Sequence, residues 1–217
     1  MLTREECTRI LMDTGIVAVI RVGKGSDLVD IMRALRKGGI LALEVTMTSP
    51  GALEAIREAS LVFKDEAIIG AGTVLDPERA EAAITAGARF IVSPVTNFDL
   101  IKLCRRYSIM CVPGAFTPTE VLAAWEAGAD FVKIFPAGNV GPSFLKDILG
   151  PLPQVRLTPT GGINLQNIGD FIRAGASFVG VGSSLINKDM VREKRWDDLS
   201  ELASKFIEEV KAARARG

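Results

Sequence analysis

Three observations in this 217-residue sequence predict an α/β fold of parallel strands joined by helices. Apolar, β-rich runs alternate with helical stretches to the end of the chain. Helices stop at recurring glycines. Ala86-Gly87-Ala88, Ala127-Gly128-Ala129 and Ala174-Gly175-Ala176 each precede a strand containing Phe90, Phe131 or Phe178, and Gly38-Gly39 stands likewise before Ile40. Capping side chains followed by prolines mark the starts. A repeating helix, glycine, strand unit implies parallel strands with right-handed helical crossovers. Eight such units of about 27 residues each point to a closed (β/α)8 TIM barrel, compact for its class, behind a short N-terminal helix. A doubly wound open sheet is the alternative, but no GxGxxG follows the first strand to favour it. With no linker or composition shift, residues 1–217 read as a single domain.

The elements follow in order. A helix covers about residues 3–13. Strands are expected at Ile16–Arg21, Ile40–Thr46, Ala67–Thr73, Arg89–Ser93, Ile109–Pro113, Phe131–Phe135, Val155–Pro159 and Phe178–Gly182. Between them, Ser26 can cap a helix carrying Leu28, Ile31, Met32 and Leu35 on one face. Ser49-Pro50, Asp76-Pro77 and Thr117-Pro118 each set a capping side chain before a first-turn proline, and Glu120 completes a capping box with Thr117. Asn164 can cap a helix with Ile168, Phe171 and Ile172 inward. The tail, Trp196 to Ala213, spaces Leu199, Leu202, Phe206 and Val210 as a final amphipathic helix. Trp125 and Trp196 read as helix packing.

Composition narrows the chemistry. Lys plus Arg and Asp plus Glu number 26 each, and the basic residues are scattered, which argues against nucleic acid or an anionic membrane as partner. The N-terminus has charges within its apolar pattern and no signal-peptide core, and no apolar run approaches the ~18 residues of a span, so a cytoplasmic protein is expected. Cys7, Cys104 and Cys111 lack CxxC spacing and read as small core or surface residues. There are no histidines. That removes catalytic triads and imidazole metal sites, and leaves carboxylates, lysine, arginine, hydroxyls and backbone amides to carry any reaction. No metal and no cofactor is expected.

In a barrel the reacting groups sit at the C-terminal ends of strands. Lys133 stands in the apolar run Phe131-Val132-Lys133-Ile134-Phe135-Pro136, where alternation turns Phe131, Lys133 and Phe135 to one face. An ammonium buried there tends to lose its proton, and a neutral amine is a nucleophile toward carbonyls. The plain structural reading is a lysine snorkelling to a strand end. Glu44 shares the inward parity of Ala42 and Thr46, and Arg21 ends the first strand on the parity of Val17 and Val19. Arg89 and Arg156 lie near strand starts, where a stability role fits better. Pro159-Thr160-Gly161-Gly162-Ile163 and Gly182-Ser183-Ser184 follow the last two strands, where barrels often bind phosphate with backbone amides. Alone, either is only a tight turn.

These blocks, AVIR at Arg21, LEVTMTSP around Glu44, GAGTVLDPE around Thr73, IVSP ending at Pro94, FVKIFPA around Lys133, PTGGI at Gly161 and Gly162, and VGSSL at Ser183, resemble the 2-keto-3-deoxy-6-phosphogluconate (KDPG) and 4-hydroxy-2-oxoglutarate aldolases over nearly the whole chain. The resemblance implies a homotrimeric barrel whose Lys133 forms a Schiff base with pyruvate, with Glu44 as acid and base. It implies that Thr73 holds the pyruvate carboxylate and that Pro94 and Phe135 wall the pocket. It further puts Thr160 beside the ketoacid, and Gly161, Gly162 and Ser183 on the phosphate. Thr73 could otherwise be simple turn chemistry before Asp76-Pro77. One departure stands out: many members carry arginine two residues after the threonine of the glutamate motif, where this chain has Thr48. Arg21 is then the cation available to the carboxylate.

The implied substrates are a 2-keto-3-deoxy phospho sugar acid, pyruvate and glyceraldehyde 3-phosphate. Two other readings remain at this point: a phosphosugar isomerase, epimerase or decarboxylase using Lys133 electrostatically, and a non-catalytic phospho-ligand binder.

Overall fold

The computed structural model describes residues 2–21 and 27–216; the expected Ser26 cap lies outside them. The first helix, α1 (Arg4–Thr14), starts at a capping box in which the Thr3 hydroxyl accepts from Glu6 N while the Glu6 carboxylate accepts from Thr3 N, and it stops at left-handed Gly15. Strands β1 (Ile16–Ile20), β2 (Ala42–Thr46), β3 (Ile68–Gly72), β4 (Phe90–Val92) and β5 (Met110–Val112) follow, each separated from the next by a helix: α2 (Leu28–Lys37), α3 (Ala52–Phe63), α4 (Pro77–Ala86) and α5 (Phe98–Arg106). The expected glycine stops hold. Gly87, Gly128 and Gly175 all have left-handed φ between 95° and 113°, which a side chain would resist.

The predicted fifth strand breaks. Pro113 has no N–H to give the ladder, so Met110–Val112 ends there and β6 (Gly114–Ala115) continues beyond it in a second sheet. Then come α6 (Pro118–Glu126), β7 (Val132–Ile134), a 3-10 turn at Ala137–Asn139, α7 (Gly141–Leu149), β8 (Leu157–Pro159), α8 (Ile168–Arg173), β9 (Val179–Val181), the short and unexpected α9 (Lys188–Arg192), and α10 (Trp196–Ala215).

All pairings are parallel. One sheet runs β5-β4-β3-β2-β1-β9 and the other β6-β7-β8. Both curl about a shared apolar interior: Val17, Ala42, Phe90, Val112, Phe131 and Phe178 form one buried cluster, with the Phe131 and Phe178 rings edge to face at 4.9 Å. Alternate residues such as Ala18, Leu43, Ile91 and Val179 point outward to the helices. Cys7 and Leu11 of α1 join the inner cluster and seal its base. Arg156, expected near a strand start, is exposed just before β8 with its guanidinium carbon 5.8 Å from the Phe131 ring centroid.

Two predicted caps behave as read. The Asp76 side chain accepts from Arg79 N ahead of Pro77, and Thr117 and Glu120 form the capping box of α6. Ser49 does not cap α3. Its hydroxyl turns inward to Thr46 Oγ1 at 3.1 Å, and left-handed Gly51 precedes the helix. Asn164 acts one turn early, accepting from Gln166 N and Asn167 N before α8 begins. Trp125 and Trp196 pack against the outer core, and Cys7, Cys104 and Cys111 are free and buried. Among the described residues, no helix is long and apolar enough to cross a membrane.

Candidate active site

Parity of the strands brings the two central residues together. On β7, Val132 and Ile134 pack outward, so Lys133 points inward, 6% exposed. On β2, Leu43 and Val45 pack outward and Glu44 points inward, 3% exposed. The two line one enclosed pocket with Thr158, Thr160 and Gly180, over an apolar floor that includes Phe90 and Phe178. Small residues make the room. A side chain at Gly72 would run into the Glu44 carboxylate, and one at Gly180 into Thr160.

Burial pushes the Lys133 amine below its ordinary value; Glu44 opposes the shift and the Arg21 charge adds to it. Burial likewise pushes the Glu44 carboxyl up, against the pull of Lys133 and then Arg21. Both groups are thereby biased toward neutral forms. A neutral amine is the form that attacks a carbonyl, and a carboxyl raised above its ordinary value keeps its proton to higher pH and so has one to give. A desolvated acid and base facing one pocket is an arrangement that clusters at functional sites.

The other predicted residues divide into three groups. Thr160 is in the pocket, joined by a parallel bridge to Gly180. Arg21 is exposed just past β1, close enough for its charge to bear on both Lys133 and Glu44. Thr73, at the end of β3, has φ +55°, a left-handed conformation rare for a β-branched residue. Such strain persists where the surroundings enforce it, and it clusters at ligand sites.

Pro94 and Phe135 instead line an adjoining open groove of about 360 Å3 together with Phe98, Gly114 and Phe116. The Phe135 ring links the two spaces, since Lys133 Nζ lies 4.7 Å from its centroid. Alternation carries Phe135 past the interior, and it ends 40% exposed. Thr48, at the position of the missing arginine, is exposed, with its hydroxyl 3.4 Å from Thr46 Oγ1.

The glycine turns form a third group. Gly161 and Gly162 have φ +89° and +77°. Their backbone packs against the 3-10 turn, with Gly138 N donating to Gly161 O at 2.8 Å, and a Cβ on Gly162 would lie 2.8 Å from Gly138 Cα. Asn167 Nδ2 donates to Gly162 O, and Ser184 Oγ donates to Ile163 O, which ties the β8 turn to the exposed Ser183 segment. These glycines therefore have a packing reason to be glycine beyond any ligand. Thr158 was missed by the sequence reading. Its signal was its parity, shared with Thr160 on a strand one pairing away from Lys133.

A curled parallel α/β sheet holding a buried lysine and a buried carboxyl on the inward face of its strands has the equipment of a lysine-dependent enzyme that acts on carbonyl compounds. Residues 7–202 match the family described as KDPG and KHG aldolase. The chain belongs to that family. It is 32% identical to the 2-dehydro-3-deoxy-phosphogluconate aldolase of Haemophilus influenzae, over 96% of this chain and 99% of that one. It is 36% identical to the KHG/KDPG aldolase of Escherichia coli K12, over 93% and 95%. Among solved structures, a KDPG aldolase from Legionella pneumophila, with pyruvate captured as a covalent carbinolamine, superposes with a TM-score of 0.85 at 32% identity, covering 91% of this chain and 96% of that one.

Proposed function

We propose that this chain is a class I aldolase that reversibly cleaves 2-keto-3-deoxy-6-phosphogluconate, or a close analogue such as 4-hydroxy-2-oxoglutarate or the galactonate epimer, to pyruvate and an aldehyde such as glyceraldehyde 3-phosphate. The observation that carries this is Lys133, a buried amine biased toward its neutral form, in one pocket with Glu44. An unperturbed lysine, with a pKa of about 10.4, is almost wholly protonated at neutral pH and could not attack.

In the cleavage direction, the Lys133 amine attacks the C2 carbonyl of the ketoacid, and loss of water from the carbinolamine gives a protonated imine. Glu44 relays the protons. It then takes the C4 hydroxyl proton as the C3–C4 bond breaks; the bond's electrons pass into the imine as an enamine, and the aldehyde leaves. Protonation of the enamine and hydrolysis of the imine release pyruvate and restore the lysine.

Arg21 and strained Thr73 hold the ketoacid carboxylate, Thr160 lies beside it, and Pro94 and Phe135 wall the entrance. The amides of Gly161, Gly162 and Ser183 take the phosphate. With β5 and β6 counted as one strand interrupted at Pro113, the two sheets form one closed eight-stranded barrel in a single domain. Three features support closure: Pro113 O accepts from Lys133 N across the break, Thr160 bridges to Gly180, and α10 packs over both α2 and α8. The working unit is a homotrimer, a reading supported by exposed apolar Val95, Phe98 and Phe116 grouped around the open groove.

Replacing Lys133 with arginine tests the aldolase reading, because it keeps a cation but cannot form the imine. Lys133→Arg abolishes cleavage of the phosphorylated ketoacid while leaving circular dichroism unchanged. Near-parent cleavage in that variant would overturn the assignment.

A further inference from the structure

Thr158 pairs directly with Lys133 in the parallel register of β7 and β8 and is 1% exposed. Among the described residues, its Oγ1 is the one buried side-chain oxygen without a hydrogen-bond partner. Buried hydroxyls are nearly always satisfied, so an orphan calls for an explanation. A residue placed there only to pack would do better as valine.

The orphan lies in the enclosed pocket with Lys133, Glu44 and Thr160. About 10 Å3 of that pocket is open to the centre of a water molecule, close to the room one water needs. A water held in a protein needs two to four polar partners. The hydroxyls of Thr158 and Thr160, the Glu44 carboxyl and the Lys133 amine supply that number, and the rest of the lining is largely apolar.

We propose that Thr158 is a positioning residue for the imine chemistry, its hydroxyl holding one water between Glu44 and Lys133 so that protons pass along a fixed path. This rests on the aldolase reading above. When the Lys133 amine bonds to C2 of pyruvate, the carbonyl electron pair moves to oxygen, and a proton from nitrogen reaches that oxygen through the held water and Glu44. In dehydration the nitrogen lone pair forms the C=N bond and the C–O bond breaks. The departing hydroxyl takes a proton that Glu44 gives through the same water, so one water leaves and Glu44 is left as the carboxylate. Thr158 neither gains nor loses a proton overall. It fixes the relay, and Thr→Val removes that hold without changing the pocket's shape.

The test compares the parent, Thr158→Val and Thr158→Ser by the rate at which pyruvate and borohydride give the reduced lysine adduct, with pyruvate saturation and melting temperature measured alongside. Thr158→Val is expected to form the adduct about 10-fold or more slowly, short of the 10²- to 10⁴-fold loss of a removed acid or base. Half-saturation by pyruvate stays near the parent value, melting does not fall, and Thr158→Ser recovers most of the rate. Thr158→Val reacting at the parent rate while melting higher would overturn the inference and leave the aldolase reading standing. Equal slowing in both variants would overturn it as well, since packing would then be the cause. A parent that forms no adduct at all would overturn both.

Discussion

Burial drives Lys133 and Glu44 in opposite directions on the pH scale, and each shift has a measurable sign. Desolvation, with help from the Arg21 charge, lowers the Lys133 value, so the reactive amine is gained as pH rises through a midpoint below that of free lysine. The rate of pyruvate adduct formation against pH should show that midpoint, and Arg21→Met should move it upward. On the role proposed for Arg21, the same variant also gives up a charged contact to the ketoacid carboxylate. Contacts of that kind are worth roughly 1.5 to 3 kcal/mol, so pyruvate binding should weaken by about 10- to 100-fold. Arg21→Lys recovers only part of it, lacking the fork. Glu44→Gln should still form the adduct but turn over about 10²- to 10⁴-fold more slowly, read by cleavage and by exchange of the pyruvate methyl protons. Stability carries the sign too. Between the lowered folded value of Lys133 and its unfolded value, the unfolded chain binds more protons, so this residue's contribution falls as pH is lowered through that window. Lys133→Met should flatten that part of the stability profile, measured by urea unfolding. Lys133 and Glu44 were legible in the sequence because a charge on the inward parity of an apolar strand is conspicuous; Arg21, expected to end the first strand on that parity, instead lies exposed just past Ile20. Thr158 was not, since what marks it is the lack of a partner in three dimensions, and threonine in a strand is ordinary.

Strands were read well wherever their inward and outward faces differ, as in Ala42–Thr46, and poorly where backbone chemistry intervenes. Pro113 ended a strand that was expected to include it, because a proline cannot donate to a ladder. Ser49-Pro50 looked like a helix start, yet Ser49 is drawn inward by the Thr46 hydroxyl. Thr117-Pro118-Thr119-Glu120 was legible in full because a capping box needs only local partners; Thr117→Ala should cost about 0.5 to 2 kcal/mol in chemical unfolding, with activity retained. The β3 glycines were read only as part of a resemblance. Gly72 gives up its side chain to the Glu44 carboxylate, so Gly72→Ala should displace that group and reproduce much of the Glu44→Gln loss while strand pairing persists. Parent-level turnover in Gly72→Ala would mean that the carboxylate's position does not matter to the reaction. The Gly161-Gly162 turn is harder to interpret, since its left-handed backbone and its contact with Gly138 demand glycine in any case. A phosphate role requires that Gly162→Val weaken a phosphorylated substrate more than an unphosphorylated one; equal losses would assign the turn to packing.

For the whole molecule, helices and strands alternate because each strand buries both faces, one on the shared interior and one under helices, and α1 covers the base that the strands leave open. This arrangement leaves the strand ends at the mouth as the place for chemistry. It also leaves apolar side chains exposed around the groove, and sedimentation should find a particle of three 23.2 kDa chains. A monomer at micromolar concentration would remove the trimer from the account without touching the pocket. The central claim is that Lys133 makes a covalent bond to the substrate's carbonyl carbon. Reduction with borohydride in the presence of pyruvate, followed by peptide mass mapping, tests it most directly. One reduced pyruvate adduct per chain is expected, on the peptide carrying Lys133, with activity lost in step with its formation. No adduct, or an adduct on another lysine with Lys133 unmodified and activity intact, would contradict it.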